Sequence, residues 1–143
     1  RNLDEARAAA CRKITSAMTT YPEMVSGFGE FDCELMKVGD GNIVTKRGAE
    51  GFQILGLLPG VLDADSPGVG IAIKVSDGDA ARMSIKLESA PRVRPAVVLE
   101  VLHQLKVLTS EQMQKLSAYG PVKQIKNHRG LVTGESRPAF HLN

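Results

Sequence analysis

Three short runs of β-branched and other apolar residues most constrain the fold of this chain. They cover Asn42 to Arg47, Gly51 to Leu58 and Val69 to Ser76. Glycine and proline turn signals bound the runs, and the third alternates apolar residues with period two, as a half-buried strand does. Because turn-length links join them, the sequence predicts an antiparallel meander of three strands.

Apolar residues at helical spacing predict helices before these strands. The first helix is predicted from Leu3 to Tyr21, with Asn2 and Glu5 as a capping box and Pro22 as its end. A glycine-punctuated loop is expected over 24–30. A short helix is expected over 32–38, with Asp32 as its N-cap.

Two further helices are predicted after the strands. Pro91 and Pro95 bracket a break, after which an amphipathic pattern continues to about Val107. Thr109 and Gln112 have capping-box spacing, and Gly120-Pro121 is expected to end the helix that follows them.

The segment 80–87 is compatible with helix or strand, and the tail, 122–140, is predicted to form a hairpin or an extended pair that adds to the sheet. The predicted fold class is α+β, with a mainly antiparallel sheet flanked by helices. Residues 1–143 are expected to form a single domain, since no interdomain linker or repeat is present.

Composition excludes several function classes. The chain has 143 residues, 43% hydrophobic and 24% charged, which is typical of one globular domain. A net charge of +2, with four Phe, two Tyr and no Trp, argues against nucleic-acid and membrane surfaces.

Cys11 and Cys33 have neither disulfide nor metal-ligand spacing. Without a signal peptide or an apolar run of roughly 20 residues, the predicted location is the cytoplasm.

Lys46 is the first candidate for chemistry, because it lies late in a predicted strand, just before Gly48. An ammonium there could hold a carboxylate or lower a neighbouring pKa, and the alternative is a solvated lysine at a strand end. Glu50 either orients a site or caps the turn.

Asp77, Asp79 and Arg82 form a second candidate group after the third strand. Asp77-Gly78-Asp79 resembles half of a cation-binding loop, but the remaining ligands of an EF-hand are absent, so capping of the next segment is the alternative. Arg82 could bind a ligand carboxylate or form an ordinary ion pair with Asp79. His128 lacks a Ser or Cys partner nearby in sequence, and no S-x-x-K occurs in the 143 residues.

Six segments together resemble the bacterial asparaginase II family, the zinc-associated type whose architecture is similar to serine β-lactamases and glutaminases. The segments are A-M-T-T-Y-P-E-M-V-S-G (17–27), F-D-C-E-L-M (31–36), T-K-R-G-A-E-G (45–51), G-V-G-I-A-I-K-V-S-D-G-D-A (68–80), V-L-E-V-L-H-Q-L (98–105) and N-H-R-G-L-V-T-G (127–134). The segment 83–91 looks like an insertion relative to the family pattern.

The resemblance implies hydrolysis of L-asparagine, or a related small amide, to the acid and ammonia. It implies a serine nucleophile in S-x-x-K and a lysine-glycine motif on a neighbouring strand. Lys46 matches that strand lysine and would act in a supporting, electrostatic role, with Gly48 and Glu50 binding substrate. The resemblance implies a structural, supporting role for Asp77, Asp79 and Arg82.

The same resemblance implies that the chain is the C-terminal portion of a longer asparaginase-like protein. The nucleophile and any zinc site would then belong to a preceding half, with no cofactor within this chain. Surfaces which that half covers would drive self-association or binding of an N-terminal half chain. The alternatives are a stand-alone, non-enzymatic domain that binds a ligand or partner, and a β-lactamase- or glutaminase-like enzyme with another substrate.

Overall fold

A computed structural model describes residues 4–79 and 93–143. It has the predicted α+β fold, with helices flanking antiparallel sheets. The elements are α1 Glu5–Thr20, α2 Glu23–Ser26, α3 Phe31–Val38, β1 Ile43–Arg47, β2 Phe52–Leu57, β3 Val69–Lys74, α4 Val93–Gln104, α5 Ser110–Lys115, β4 Lys123–Lys126 and β5 Val132–Ser136. No helix in these two ranges is long and apolar enough to cross a membrane.

The main sheet is the predicted meander, with strand order β1-β2-β3 and both pairs antiparallel. Thr45 pairs with Leu55, which in turn pairs with Ile71, so these three side chains share one face. Lys46, Ile54 and Ala72 share the opposite face by the same register. The first face is buried, and the second is largely open to solvent.

Helices α3, α4 and α5 cover the buried face of the sheet. The core cluster consists of Phe31, Leu35, Ile43, Leu55, Leu57, Val98, Leu99, Leu102, Leu108 and Leu116. Burying apolar side chains of this size stabilises a domain by roughly 1.5–3 kcal/mol each, so this face holds the fold together. In contrast, α1 has no buried residue, although it was predicted to be amphipathic.

The N-terminal helices begin at other residues than the sequence predicts. Asp4 is the N-cap of α1, and its side chain accepts a hydrogen bond from the Arg7 N–H at 2.8 Å. The predicted cap Asn2 lies outside the described residues. The predicted end was right, since α1 stops at Thr20 before Pro22. Within the predicted loop, Glu23–Ser26 forms the single turn α2.

The later helices also differ at their ends. Pro95 lies within α4 and not before it, which its first turns tolerate because the N–H groups there have no helical partner. The Thr109–Gln112 capping box was predicted correctly, but α5 ends at Lys115, before the expected Gly120-Pro121. The ambiguous segment 80–87 lies outside the described residues.

The tail forms a hairpin, as predicted, but does not extend the main sheet. Among the strands of 4–79 and 93–143, β4 and β5 pair only with each other, as a separate two-stranded sheet. The Gln104 side chain instead anchors the chain beyond the hairpin, donating to the Phe140 carbonyl at 2.8 Å and accepting from the Leu142 N–H at 2.7 Å.

Candidate functional site

Two turns that carry the predicted site residues lie against each other at one end of the sheet. The β1–β2 turn covers 48–51, and the turn after β3 covers 75–79. The Val75 N–H donates to the Gly51 carbonyl at 3.0 Å. A Cβ on Gly51 would lie 2.9 Å from the Gly78 carbonyl carbon, so only glycine permits this approach.

Lys46 lies on the open face of the sheet, on the edge strand β1. Its side chain is exposed, and Nζ lies 3.4 Å from the Arg47 carbonyl oxygen, a long hydrogen bond. Ile54 and Ala72 lie beside it across the sheet. The ammonium can therefore reach a molecule that approaches this face.

Gly48 and Glu50 shape the turn that follows Lys46. The Gly48 N–H donates to the Phe52 carbonyl at 2.9 Å, so this N–H is already committed within the hairpin. Glu50 has a left-handed backbone with φ of 56°, and its carbonyl accepts a hydrogen bond from Lys74 Nζ. The Glu50 side chain is exposed and can face a ligand.

Asp77 and Asp79 make local contacts in the neighbouring turn. Asp77 Oδ1 accepts the Asp79 N–H at 2.9 Å, which forms an Asx turn. Asp79 Oδ1 accepts the Val93 N–H at 3.3 Å and so ties the turn to α4. Arg82, the third member predicted for this group, lies outside the described residues.

A buried polar network lies behind β1, and the sequence did not predict it. Asp32 Oδ2 accepts the Arg47 N–H, and Oδ1 accepts Gln53 Nε2, both at 2.8 Å. Gln53 Nε2 also lies 2.6 Å from Thr45 Oγ1, which donates to the Ile54 carbonyl at 2.9 Å. The network therefore fixes both residues that flank Lys46.

Asp32 was predicted as the N-cap of α3, and this was wrong. Glu30 is the N-cap, and the Asp32 carboxylate reaches across to β1 and β2 instead. The signal available in the sequence was a polar Gln53 on the apolar side of a strand, because a buried amide requires a polar partner.

A second polar group on α3 surrounds a buried thiol. Burial raises the pKa of the Cys33 thiol, and the positive charge of Lys37 opposes this effect in part. Lys37 Nζ lies 3.0 Å from Glu34 Oε1 and lowers the pKa of that carboxyl group. Within 4–79 and 93–143, no three His, Cys, Asp or Glu side chains are grouped so that they could hold a metal ion.

The chain matches the L-asparaginase II family model over residues 1–138. It belongs to the L-asparaginase II family. No curated protein matches it at a significant level.

Proposed function

We propose that this chain supplies the strand lysine of an asparaginase-type site that hydrolyses L-asparagine to L-aspartate and ammonia. The observation that supports this most is the family match over 1–138 together with the exposed position of Lys46 on an edge strand. The open face beside Lys46 gives a substrate room to approach.

Lys46 acts electrostatically in this proposal. Attack on the side-chain amide moves negative charge onto its oxygen, and an ammonium within a few ångströms favours that state over the neutral amide. The same charge favours the deprotonated form of a neighbouring nucleophile. The Asp32 network binds the Arg47 N–H and, through Gln53, the Thr45 hydroxyl, and so holds both neighbours of Lys46.

The nucleophile comes from a segment outside these 143 residues in this proposal, since the chain contains no S-x-x-K. Glu50 and Gly48 then border the substrate on the side of the turn. Asp77 and Asp79 shape the neighbouring turn at 75–79, which packs against Gly51. Zinc in the complete site would likewise be held by other segments.

The test measures both chemistry and binding. Ammonia release from L-asparagine is followed with and without zinc, on chain that circular dichroism shows to be folded. Binding of L-asparagine to the ¹⁵N-labelled chain is followed by NMR. We expect little or no release, and shifts of the amide signals of 46–51 that Lys46→Met abolishes and that the hairpin control Lys126→Met leaves unchanged.

The outcomes separate the parts of the proposal. Release that depends on Lys46 would place the nucleophile within the chain and contradict its assignment to another segment. Absence of both release and Lys46-dependent binding would contradict the asparaginase proposal itself. Binding of L-glutamine in preference to L-asparagine would favour the glutaminase-like alternative.

A further inference from the structure

A cleft of about 550 Å³ lies between α1 and the end of the main sheet where β1 begins and β2 ends. Residues of α1 form one wall of the cleft, and they are Cys11, Arg12, Thr15, Ser16 and Thr19. The turn at 48–51 lies at the opposite end of β1 and β2. The cleft is therefore separate from the site proposed around Lys46.

The other wall of the cleft is short and largely apolar. It consists of Gly41, Leu58 and Pro59. A Cβ on Gly41 would meet no heavy atom within 4 Å, so the space at this position is open. Since α1 has no buried residue, the helix does not fill this space from its own side. Leu58 and Pro59 therefore present apolar surface that a ligand can cover.

Arg12 supplies the charge of the cleft. It is the single charged residue among those that line it, and within 4–79 and 93–143 its guanidinium has no hydrogen bond or ion pair. Such a guanidinium offers parallel N–H donors that match the two oxygens of a carboxylate. Because the Arg12 side chain is exposed, water weakens this attraction, and binding needs a further contribution from apolar contact.

Two hydroxyl groups accompany Arg12 on the α1 wall. In the part of the chain that the structure describes, the Thr15 and Ser16 hydroxyls form no hydrogen bond, so each has a proton to donate. The Thr19 hydroxyl differs, because it donates to the Thr15 carbonyl at 3.0 Å. Residues three and four apart lie on the same side of a helix, so one anionic group can meet Arg12 and both free hydroxyls.

The charge and the volume of the cleft restrict the ligand. A volume of about 550 Å³ falls within the range of roughly 300–1,000 Å³ that is usual for small-molecule sites, and it exceeds what an inorganic ion fills. One guanidinium balances one negative charge, and the exposed Asp40, next to Gly41 in the sequence, opposes a second. These features favour a monoanion with an apolar body over a phosphate dianion.

We propose that this cleft binds a small monocarboxylate with an apolar body. Its carboxylate lies against Arg12 and the Thr15 and Ser16 hydroxyls, and its apolar body covers Leu58 and Pro59. The site goes beyond the proposed asparaginase function and does not depend on it, because none of the residues that line the cleft belongs to the group around Lys46.

The test is a titration of the ¹⁵N-labelled chain with sodium octanoate, followed by NMR at constant ionic strength. Acetate is the probe without an apolar body, octan-1-ol is the probe without a charge, and inorganic phosphate is the dianion. We expect saturable binding of octanoate that is tighter than binding of the other probes. The amide signals of Cys11, Thr15, Gly41 and Leu58 should shift.

Arg12→Gln should weaken octanoate binding roughly three- to tenfold, because one charge-assisted interaction is lost. Arg7→Gln is the matched control, since it removes the same charged group from an exposed position of α1 outside the cleft. It should leave the affinity unchanged, as should Lys46→Met. Cys11 gives a second readout, because it is exposed and lines the cleft, so bound octanoate should slow its reaction with a neutral disulfide reagent.

Several results would overturn the proposal. Equal weakening by Arg12→Gln and Arg7→Gln, or octan-1-ol binding as tight as that of octanoate, would show that the Arg12 charge does not hold the ligand. Shifts centred on the exposed Ile14 and Met24, or unchanged Cys11 reactivity at saturating octanoate, would place the ligand elsewhere. Tighter binding of phosphate than of octanoate would contradict the choice of a monocarboxylate.

Discussion

At the scale of single residues, Asp32 joins elements that are distant in sequence. Its two oxygens accept from a β1 backbone N–H and a β2 side chain, so one buried carboxylate links α3 to two strands. A buried carboxylate destabilises the folded state little while both of its donors are present. It destabilises that state strongly when one hydrogen bond is lost, because a buried polar group is then left unsatisfied.

Asp32→Asn should therefore destabilise the chain. An asparagine side chain offers one oxygen and one NH₂ group where two donors, the Arg47 N–H and Gln53 Nε2, both need acceptors. We expect a loss of about 1–3 kcal/mol in the free energy of unfolding, measured by urea denaturation.

Asp40→Asn is the control for this substitution. Asp40 is exposed and has φ of 46°, a conformation that asparagine also tolerates. We expect Asp40→Asn to change the free energy of unfolding by no more than about 0.5 kcal/mol. Equal losses in the two variants would show that the Asp32 contacts do not stabilise the fold.

The two thiols should differ sharply in reactivity. Cys11 is exposed, whereas Cys33 is fully buried, and burial raises the pKa of its thiol, so less of the reactive thiolate forms at a given pH. Titration with a disulfide reagent at pH 8 should modify one thiol in the native chain and two after unfolding.

Cys11→Ser identifies which thiol reacts. The native variant should show no rapidly reacting thiol, and denaturant should expose one. Fast modification of native Cys11→Ser would mean that Cys33 is accessible, contrary to its burial.

At the scale of elements, the turn at 48–51 packs closely against the turn at 75–79. Gly51 has φ of 69°, and a Cβ there would lie 2.9 Å from both the Gly78 carbonyl carbon and Val75 Cβ. The position therefore requires glycine for two separate reasons, conformation and space.

Gly51→Ala should lower the free energy of unfolding by about 1–2 kcal/mol because of the left-handed backbone. Overlap of the added Cβ with the turn at 75–79 should lower it by about 1–3 kcal/mol more. Gly41→Ala is the matched control, since Gly41 has φ of 81° and no heavy atom within 4 Å of an added Cβ. Denaturant unfolding of both variants measures the difference. If both lose the same stability, the two turns do not pack as described.

Local patterns sufficed to predict the three strands and the Thr109 capping box, because period-two alternation and cap spacing act within a few residues. They did not predict that Asp32 binds residues 15 and 21 positions away, or that β4 and β5 form their own sheet. Lys46 was placed correctly on β1 for the same local reason. Its surroundings depend on chain segments brought together only by folding.

At the scale of the whole molecule, several large apolar side chains of the N-terminal part are exposed, on α1, on α2 and in the turn that follows α2. Ile14, Met24 and Phe28 are 61%, 83% and 80% exposed, and α1 buries no residue. Exposed apolar side chains of this size can form part of an interaction surface. We propose that the chain self-associates, or binds an N-terminal half chain, through this surface.

Sedimentation velocity over a range of concentrations tests this proposal. The wild-type chain should show a concentration-dependent shift to larger species, and Ile14→Gln should weaken it roughly tenfold by removing apolar contact area. Lys13→Gln, at the neighbouring exposed position on α1, should change it little. A monodisperse wild-type monomer would contradict self-association.

The alternation of Lys46 and Arg47 along β1 has a consequence for how this protein can vary. Insertion or deletion of one residue within β1 would send each of the two cations to the other side of the sheet. The open face would then present a guanidinium and the face covered by helices an ammonium, while Asp32 would lose the Arg47 N–H as a donor. The number of residues in β1 therefore determines which face of the sheet each of the two cations lies on.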